Sequence, residues 1–251
     1  MKKDVLGIKI DDVNINQAQD LVQGWLTKKA KHYIVTPNPE IVVMAQKDLE
    51  LKKIINNADL AIPDGVGLKL SGDIVNTTPG IDLMESFIKL AADLGLTTGF
   101  LGGRGQVAEE TAERLRKKYP KLTVRYALEG PVIPASSVIP AKAGIYMDPE
   151  SSSGHSLWIP DQVRDDKVDI LFVAFGPPKQ EKWIAKNLDK LNVKVAMGVG
   201  GAFDYLSGRI PRAPKLMRSL NLEWLFRLII QPWRIKRQIN LLKFLLLVML
   251  R

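Results

Sequence analysis

Apolar positions in this chain alternate between two spacings, and that alternation predicts its fold. Residues 5–10 and His32–Val35 read as strands, with a helical stretch over residues 16–30 between them. In residues 39–56 the apolar side chains Ile41, Val42, Ala45, Leu49, Leu51, Ile54 and Ile55 recur at helical spacing. A short strand at 60–62, a turn at Pro63-Asp64-Gly65 and a helix over 81–94 follow. Residues 98–101 read as a strand, 106–118 as a helix and 122–126 as a strand. Val168–Ala174, interrupted only by Asp169, is a β-branched apolar run of the kind buried on both faces of a parallel sheet. A helix over Lys179–Asn187 and a second buried strand over 193–199 complete the pattern. The class predicted is α/β: a doubly wound, mostly parallel, Rossmann-like sheet with sites at the C-terminal ends of its strands.

Residues 131–167 interrupt the rhythm. They repeat Val-Ile-Pro at 132–134 and 138–140, carry Ser151-Ser152-Ser153-Gly154, and have no clean period. A loop this long is unusual inside a compact domain. Two stretches, 138–144 and 158–166, resemble translated palindromic repeat elements found inserted in some bacterial genes. The segment reads as a surface insertion without a catalytic role, the alternative being a substrate lid. The expected organisation is a Rossmann-like domain over 1–208 and a helical appendage over 209–251.

Composition adds little until the charge is located. With 251 residues, 46% of them hydrophobic, the chain suffices for one sizeable α/β core plus an appendage. It has no cysteine, which excludes disulfide scaffolds, thiolate metal sites and Cys nucleophiles. The apolar run after Met1-Lys2-Lys3-Asp4 is too short for a secretory signal, so a cytoplasmic location is expected. The net charge is +9, and residues 209–251 hold ten Lys/Arg against Glu223 alone. The other 26 basic and 26 acidic residues cancel. Basic residues mixed with Trp and Leu suit an anionic lipid surface better than a nucleic acid. Arg227, Arg234 and Lys243 keep any apolar run well below the ~20 residues that span a bilayer. The tail is therefore expected to lie in the interface on the inner face of the cytoplasmic membrane. The alternative is a homo-oligomer interface through residues 241–250.

Four clusters could carry chemistry. Thr36-Pro37-Asn38-Pro39-Glu40 follows a strand, and its prolines hold an extended turn that presents a hydroxyl and an amide. Its bland reading is a connector with Asn38 as a helix N-cap. Pro63-Asp64-Gly65 puts one carboxylate at a strand end, either a general base or a turn Asp. Phe175-Gly-Pro-Pro-Lys-Gln-Glu181 fixes a loop after a buried strand, with Gln180 and Glu181 in the first turn of a helix. Gly102-Gly103-Arg104-Gly105 could seat a phosphate at a helix N-terminus, and with Glu129 it imitates a dinucleotide fingerprint. That short motif is the basis for a rival reading, a NAD(P)-dependent oxidoreductase. The only histidines are His32 and His155, so no histidine metal site is credible.

Taken in order, Thr36-Pro-Asn-Pro-Glu40, Pro63-Asp-Gly65, Gly80-Ile-Asp-Leu83, Gly176-Pro-Pro-Lys-Gln-Glu181 and Gly198-Val-Gly-Gly-Ala-Phe-Asp204 resemble the WecG/TagA/CpsF glycosyltransferases. The tail motifs Arg212-Ala-Pro214, Leu222-Glu-Trp224, Arg227-Leu228, Arg234 and Arg237 extend the resemblance over nearly the whole chain. It implies inverting, metal-independent transfer of N-acetylmannosamine, or its uronic acid, from UDP to undecaprenyl-diphosphate-linked N-acetylglucosamine. By the same resemblance Asp64 is the base, with Thr36 and Asn38 beside it. Gln180 and Asp204 are polar groups of the donor pocket, and Arg227, Arg234 and Arg237 hold the diphosphate. The sequence departs from the family at Asn76-Thr-Thr-Pro79, where a basic residue is usual. The insertion also replaces a segment bridging two core strands. Both departures leave a third reading open: a catalytically inactive, membrane-associated relative.

Overall fold

A computed structural model of the chain describes residues 2–130, 145–146, 159–220, 222–232 and 235–250, the side chains of residues 145, 146 and 236–238 excepted. Its strands are β1 (Lys2–Val5), β2 (Ile8–Asp11), β3 (His32–Val35), β4 (Leu60–Ala61), β5 (Thr97–Gly102), β6 (Thr123–Leu128), β7 (Ile145–Tyr146), β8 (Ile159–Pro160), β9 (Val168–Ala174) and β10 (Val193–Gly198). The helices are α1 (Ile15–Leu26), α2 (Pro39–Ala45), α3 (Leu49–Asn56), α4 (Gly80–Leu94), α5 (Val107–Lys118), α6 (Asp161–Asp165), α7 (Lys179–Asn187), α8 (Ala202–Leu206), α9 (Lys215–Ser219), α10 (Glu223–Ile230) and α11 (Ile235–Met249).

Six strands form one parallel sheet in the order β4-β3-β10-β9-β5-β6. Side chains alternate along each strand. Ile170 and Phe172 of β9, Phe100 of β5 and Met197 of β10 therefore meet α1, α4 and α5 on one face. Leu171, Val173, Leu101 and Ala196 meet α7 on the other, and Val35 and Ala61 meet α2 and α3. Both faces are thus covered by helices, which is the doubly wound arrangement the sequence predicts.

Three expectations change. The single strand over 5–10 is two strands, because Leu6 and Gly7 both take positive φ (55° and 76°) and turn β1 back on β2 as an antiparallel hairpin. The helical stretch 39–56 is two helices, and Asp48 caps the second by accepting the Leu51 amide at 3.0 Å. The insertion is not surface throughout. Residues 131–144 and 147–158, His155 among them, lie outside the described residues. Ile159 and Val163, however, are buried with Leu171, Val173 and Trp183. Ile159 of β8 and Val163 of α6 thus tie the end of this segment to the α7 side of the sheet.

The tail folds back on the domain. Phe244 of α11 is fully buried in the cluster that holds Ile41 and Val42 of α2. No helix among the described residues is long and apolar enough to cross a membrane.

Candidate active site

The chain leaves β3 for α2 on one face of the sheet and leaves the adjacent β10 for α8 on the other. Such a parting opens a crevice at the C-terminal ends of the strands. Thr36, one residue past β3, is buried there, and its hydroxyl reaches the Gly198 carbonyl at the end of β10 at 3.5 Å. The next two loops are zipped together by the Asp64 amide donating to Pro37 O (2.8 Å) and the Thr78 amide donating to Pro63 O (3.0 Å). Gly65 then turns the chain at φ 78°, a conformation that favours glycine.

Asp64 sits at the centre of this crevice, partly buried. Its Oδ1 accepts the Gly80 amide at 2.8 Å. Burial pushes the carboxyl up, the Gly80 amide, Arg227 and the Asn38 side chain pull it down, and Glu223 pushes it up again. The balance leaves its pKa raised to about 6, a value suited to a base working near neutrality. Asn38 is the N-cap of α2 and also touches Asp64. Its oxygen caps α2 by accepting the Ile41 amide at 3.0 Å, while its side chain hydrogen-bonds toward Asp64.

The tail brings an arginine to the loop after β10, and its charge acts on Asp64. The Arg227 guanidinium lies 4.9 Å from the centre of the Tyr205 ring, a cation–π contact. Its Nε is buried and has no hydrogen-bond acceptor among the described residues. A Cβ placed on Gly201 would lie 2.9 Å from Arg227 Nη2 and 3.5 Å from Asp204 Oδ2, so both groups meet over the bare face of that glycine. Arg234 lies outside the described residues, as does the Arg237 side chain.

Gln180 is brought to the site in another capacity. Its Oε1 accepts the Gly176 amide (3.2 Å) and the Gly200 amide (2.9 Å), and its Nε2 donates to Glu181 Oε1 (2.9 Å). The side chain therefore clasps the loops after β9 and β10, and it packs against Gly198 where no Cβ would fit. Glu181 is buried, its carboxyl is pushed up by that burial, and its Oε2 has no hydrogen-bond partner among the described residues.

The glycine loop does not join the crevice. It lies at the end of β5, two strands from β10. The Gly103 amide is donated to Ala174 O (3.0 Å) and the Gly105 amide to Glu129 Oε1 (2.6 Å). The Gly103 and Gly105 amides are thus already engaged, the second by a carboxylate, which speaks against the loop as an anion cradle and weakens the oxidoreductase reading. Glu129 holds the loop instead of a ribose.

Two chemically relevant residues carried no role in the sequence reading. Arg212 places Nη2 2.6 Å from Asp82 Oδ1 and Nε 3.3 Å from Glu223 Oε1. Glu223 in turn acts electrostatically on Asp64. Their only signal was their place in the Arg-Ala-Pro and Leu-Glu-Trp motifs. Among the described residues no group of three or more His, Cys, Asp or Glu side chains could hold a metal ion.

The profile described as "Glycosyl transferase WecG/TagA/CpsF family" matches residues 3–251. The N-acetylglucosaminyldiphosphoundecaprenol N-acetyl-beta-D-mannosaminyltransferase of Staphylococcus aureus strain MRSA252 is 30% identical over 243 residues, covering 94% of this chain and 87% of the relative. The enzyme of the same name from strain NCTC 8325 / PS 47 is 29% identical over the same span and coverage.

Proposed function

The chain belongs to the WecG/TagA/CpsF glycosyltransferase family, and on that premise we propose that it transfers N-acetylmannosamine from a UDP donor to undecaprenyl-diphosphate-linked N-acetylglucosamine. The names of the relatives favour the amino sugar over its uronic acid. The observation that supports the mechanism is that Asp64, with its raised pKa, feels the positive charge of the tail's Arg227.

The acceptor hydroxyl attacks the anomeric carbon of the donor while its proton passes to the Asp64 carboxylate. The bond from that carbon to the diphosphate oxygen breaks on the far side, and its electron pair leaves with UDP. Configuration is inverted in this single displacement. The leaving diphosphate gains charge, which Arg227, with Arg234 and Arg237, neutralises through charge-assisted hydrogen bonds. In this reading no metal is required. Thr36 and Asn38 frame the base, Gln180 sets the two loops that form the donor pocket, and Asp204 contributes a polar wall. The basic, apolar tail holds the enzyme peripherally on the inner membrane face, where a polyprenyl acceptor is found.

The test supplies UDP-N-acetylmannosamine, or the uronic acid donor, with a lipid-linked N-acetylglucosamine and follows UDP release with and without EDTA. UDP release from the amino-sugar donor, undiminished by EDTA, is expected. Asp64→Ala turning over like the parent would remove the base assignment. Vesicle binding with no transfer to any acceptor would favour the inactive relative.

A further inference from the structure

Two segments address Asp64, and one guanidinium joins them. The first is the N-terminal turn of α4, where the Gly80 amide donates to the carboxylate and Asp82 follows two residues later. The second is α10, whose Glu223 and Arg227 stand four residues apart on one helix face and both act on Asp64. Arg212 lies between them, 2.6 Å from Asp82 Oδ1 and 3.3 Å from Glu223 Oε1. All three side chains are partly shielded, with exposures of 21%, 33% and 26%, so the pairing is not a fully solvated surface bridge.

We propose that Arg212 is a positioning residue: by joining Asp82 to Glu223 it docks α10 against α4 and sets Arg227 opposite Asp64. The inference rests on the role given to Asp64 above. It adds a reason for a carboxylate on the tail of an enzyme whose substrates are anionic. Glu223 is the handle by which the tail is held, and Arg212 offsets the charge that this handle brings toward the base. A planar guanidinium can serve two carboxylates at once, whereas an ammonium ion serves them only as a point charge. The groups facing Asp64 from the packed elements are Gly80, Asn38, Glu223 and Arg227. Of the charged groups among them, Glu223 opposes ionisation and Arg227 favours it.

The experiment measures kcat and KM against pH for the full chain and for Arg212→Gln, Arg212→Lys, Glu223→Gln and the Arg212→Gln/Glu223→Gln pair. Removing Arg212 leaves Glu223 unopposed, so the acid limb of the profile moves to higher pH and kcat falls about tenfold or more. Removing Glu223 moves that limb to lower pH, and the double variant returns it toward the parent while kcat stays low. Arg212→Lys keeps the charge but not the fork, so it restores the limb without restoring kcat. A role in folding alone would not shift the limb in opposite directions for the two single variants. Asp64→Asn is the control. If it abolishes the acid limb while the other variants superimpose on the parent, the bracket is overturned and the base assignment stands. Should Asp64→Asn keep the limb, the base assignment falls, and the bracket's influence on it falls too.

Discussion

The Gly80 amide donates to Oδ1 of Asp64 at 2.8 Å, so the residue that opens α4 also orients the carboxylate in the crevice. That bond, with Arg227 and Asn38, keeps the pKa near 6 in a place where burial alone would raise it further. A base must be deprotonated to accept the acceptor's proton. The kcat/KM profile is therefore expected to rise tenfold per pH unit below about 6 and to level off above it. A profile flat from pH 5 to 8 in the parent would contradict this.

The same carboxylate should weaken the fold. Its pKa is higher in the folded chain, about 6, than the ordinary 3.8. The ionised form is thus disfavoured by folding, and the resulting loss of stability is present above pH 6 and absent below pH 4. Asp64→Asn keeps an oxygen for the Gly80 amide and carries no charge. It is expected to stabilise the protein at pH 8 by up to about 3 kcal/mol, and not at pH 3.5. Urea unfolding at the two pH values reads the difference, and equal stability of the variant and the parent at pH 8 would argue against a shielded carboxylate.

Most of the sheet was legible because its central strands are long and apolar on both faces. Val168–Ala174 and the following Lys179–Asn187 have the limits their patterns predict. The N-terminal hairpin was not, since the Leu6-Gly7 turn lacks the Asn-Gly signature and Val5, Ile8 and Ile10 read as one run. Asp64, Thr36 and Asn38 were recognisable because prolines and a glycine hold them at strand ends. The bracket of Arg212, Asp82 and Glu223 was not, because an ion pair between residues 130 positions apart leaves no periodic trace. Nor could spacing reveal that the amides of Gly103 and Gly105 are already taken.

Gly201 offers a probe of the tail's arginine that leaves the backbone alone. Its φ of −91° is open to any residue, so Gly201→Ala should not strain the chain. The added Cβ would, however, lie 2.9 Å from Arg227 Nη2 and displace the guanidinium from the Asp204 side of the crevice. Losing one charge-assisted hydrogen bond to a diphosphate costs about 1.5–3 kcal/mol, which is roughly 10- to 100-fold in kcat/KM. Thermal unfolding should stay near the parent's. A normal kcat/KM in Gly201→Ala would show that Arg227 does not hold substrate from this position.

The two faces of α11 should separate docking on the domain from docking on lipid. Phe244 is fully buried against α2, and Leu241 reaches Gly67 on the same side. Ile235, Ile239, Leu242, Leu246 and Met249 follow alternating steps of four and three residues and are at least half exposed. Phe244→Ala removes a core contact worth about 3–5 kcal/mol. Because α11 packs on α2 and takes no part in the sheet, that loss should free the helix rather than unfold the sheet, and protease sensitivity should rise at α11 first. Leu242→Asn with Leu246→Asn touches only the exposed stripe. Unfolding temperature and transfer to a short-chain, water-soluble acceptor should be unchanged, while binding to anionic vesicles and transfer to an embedded polyprenyl acceptor should fall together. If the pair instead converts a dimer to a monomer in solution and leaves vesicle binding intact, the stripe is a protein interface. The tail would then reach the membrane by its charge alone.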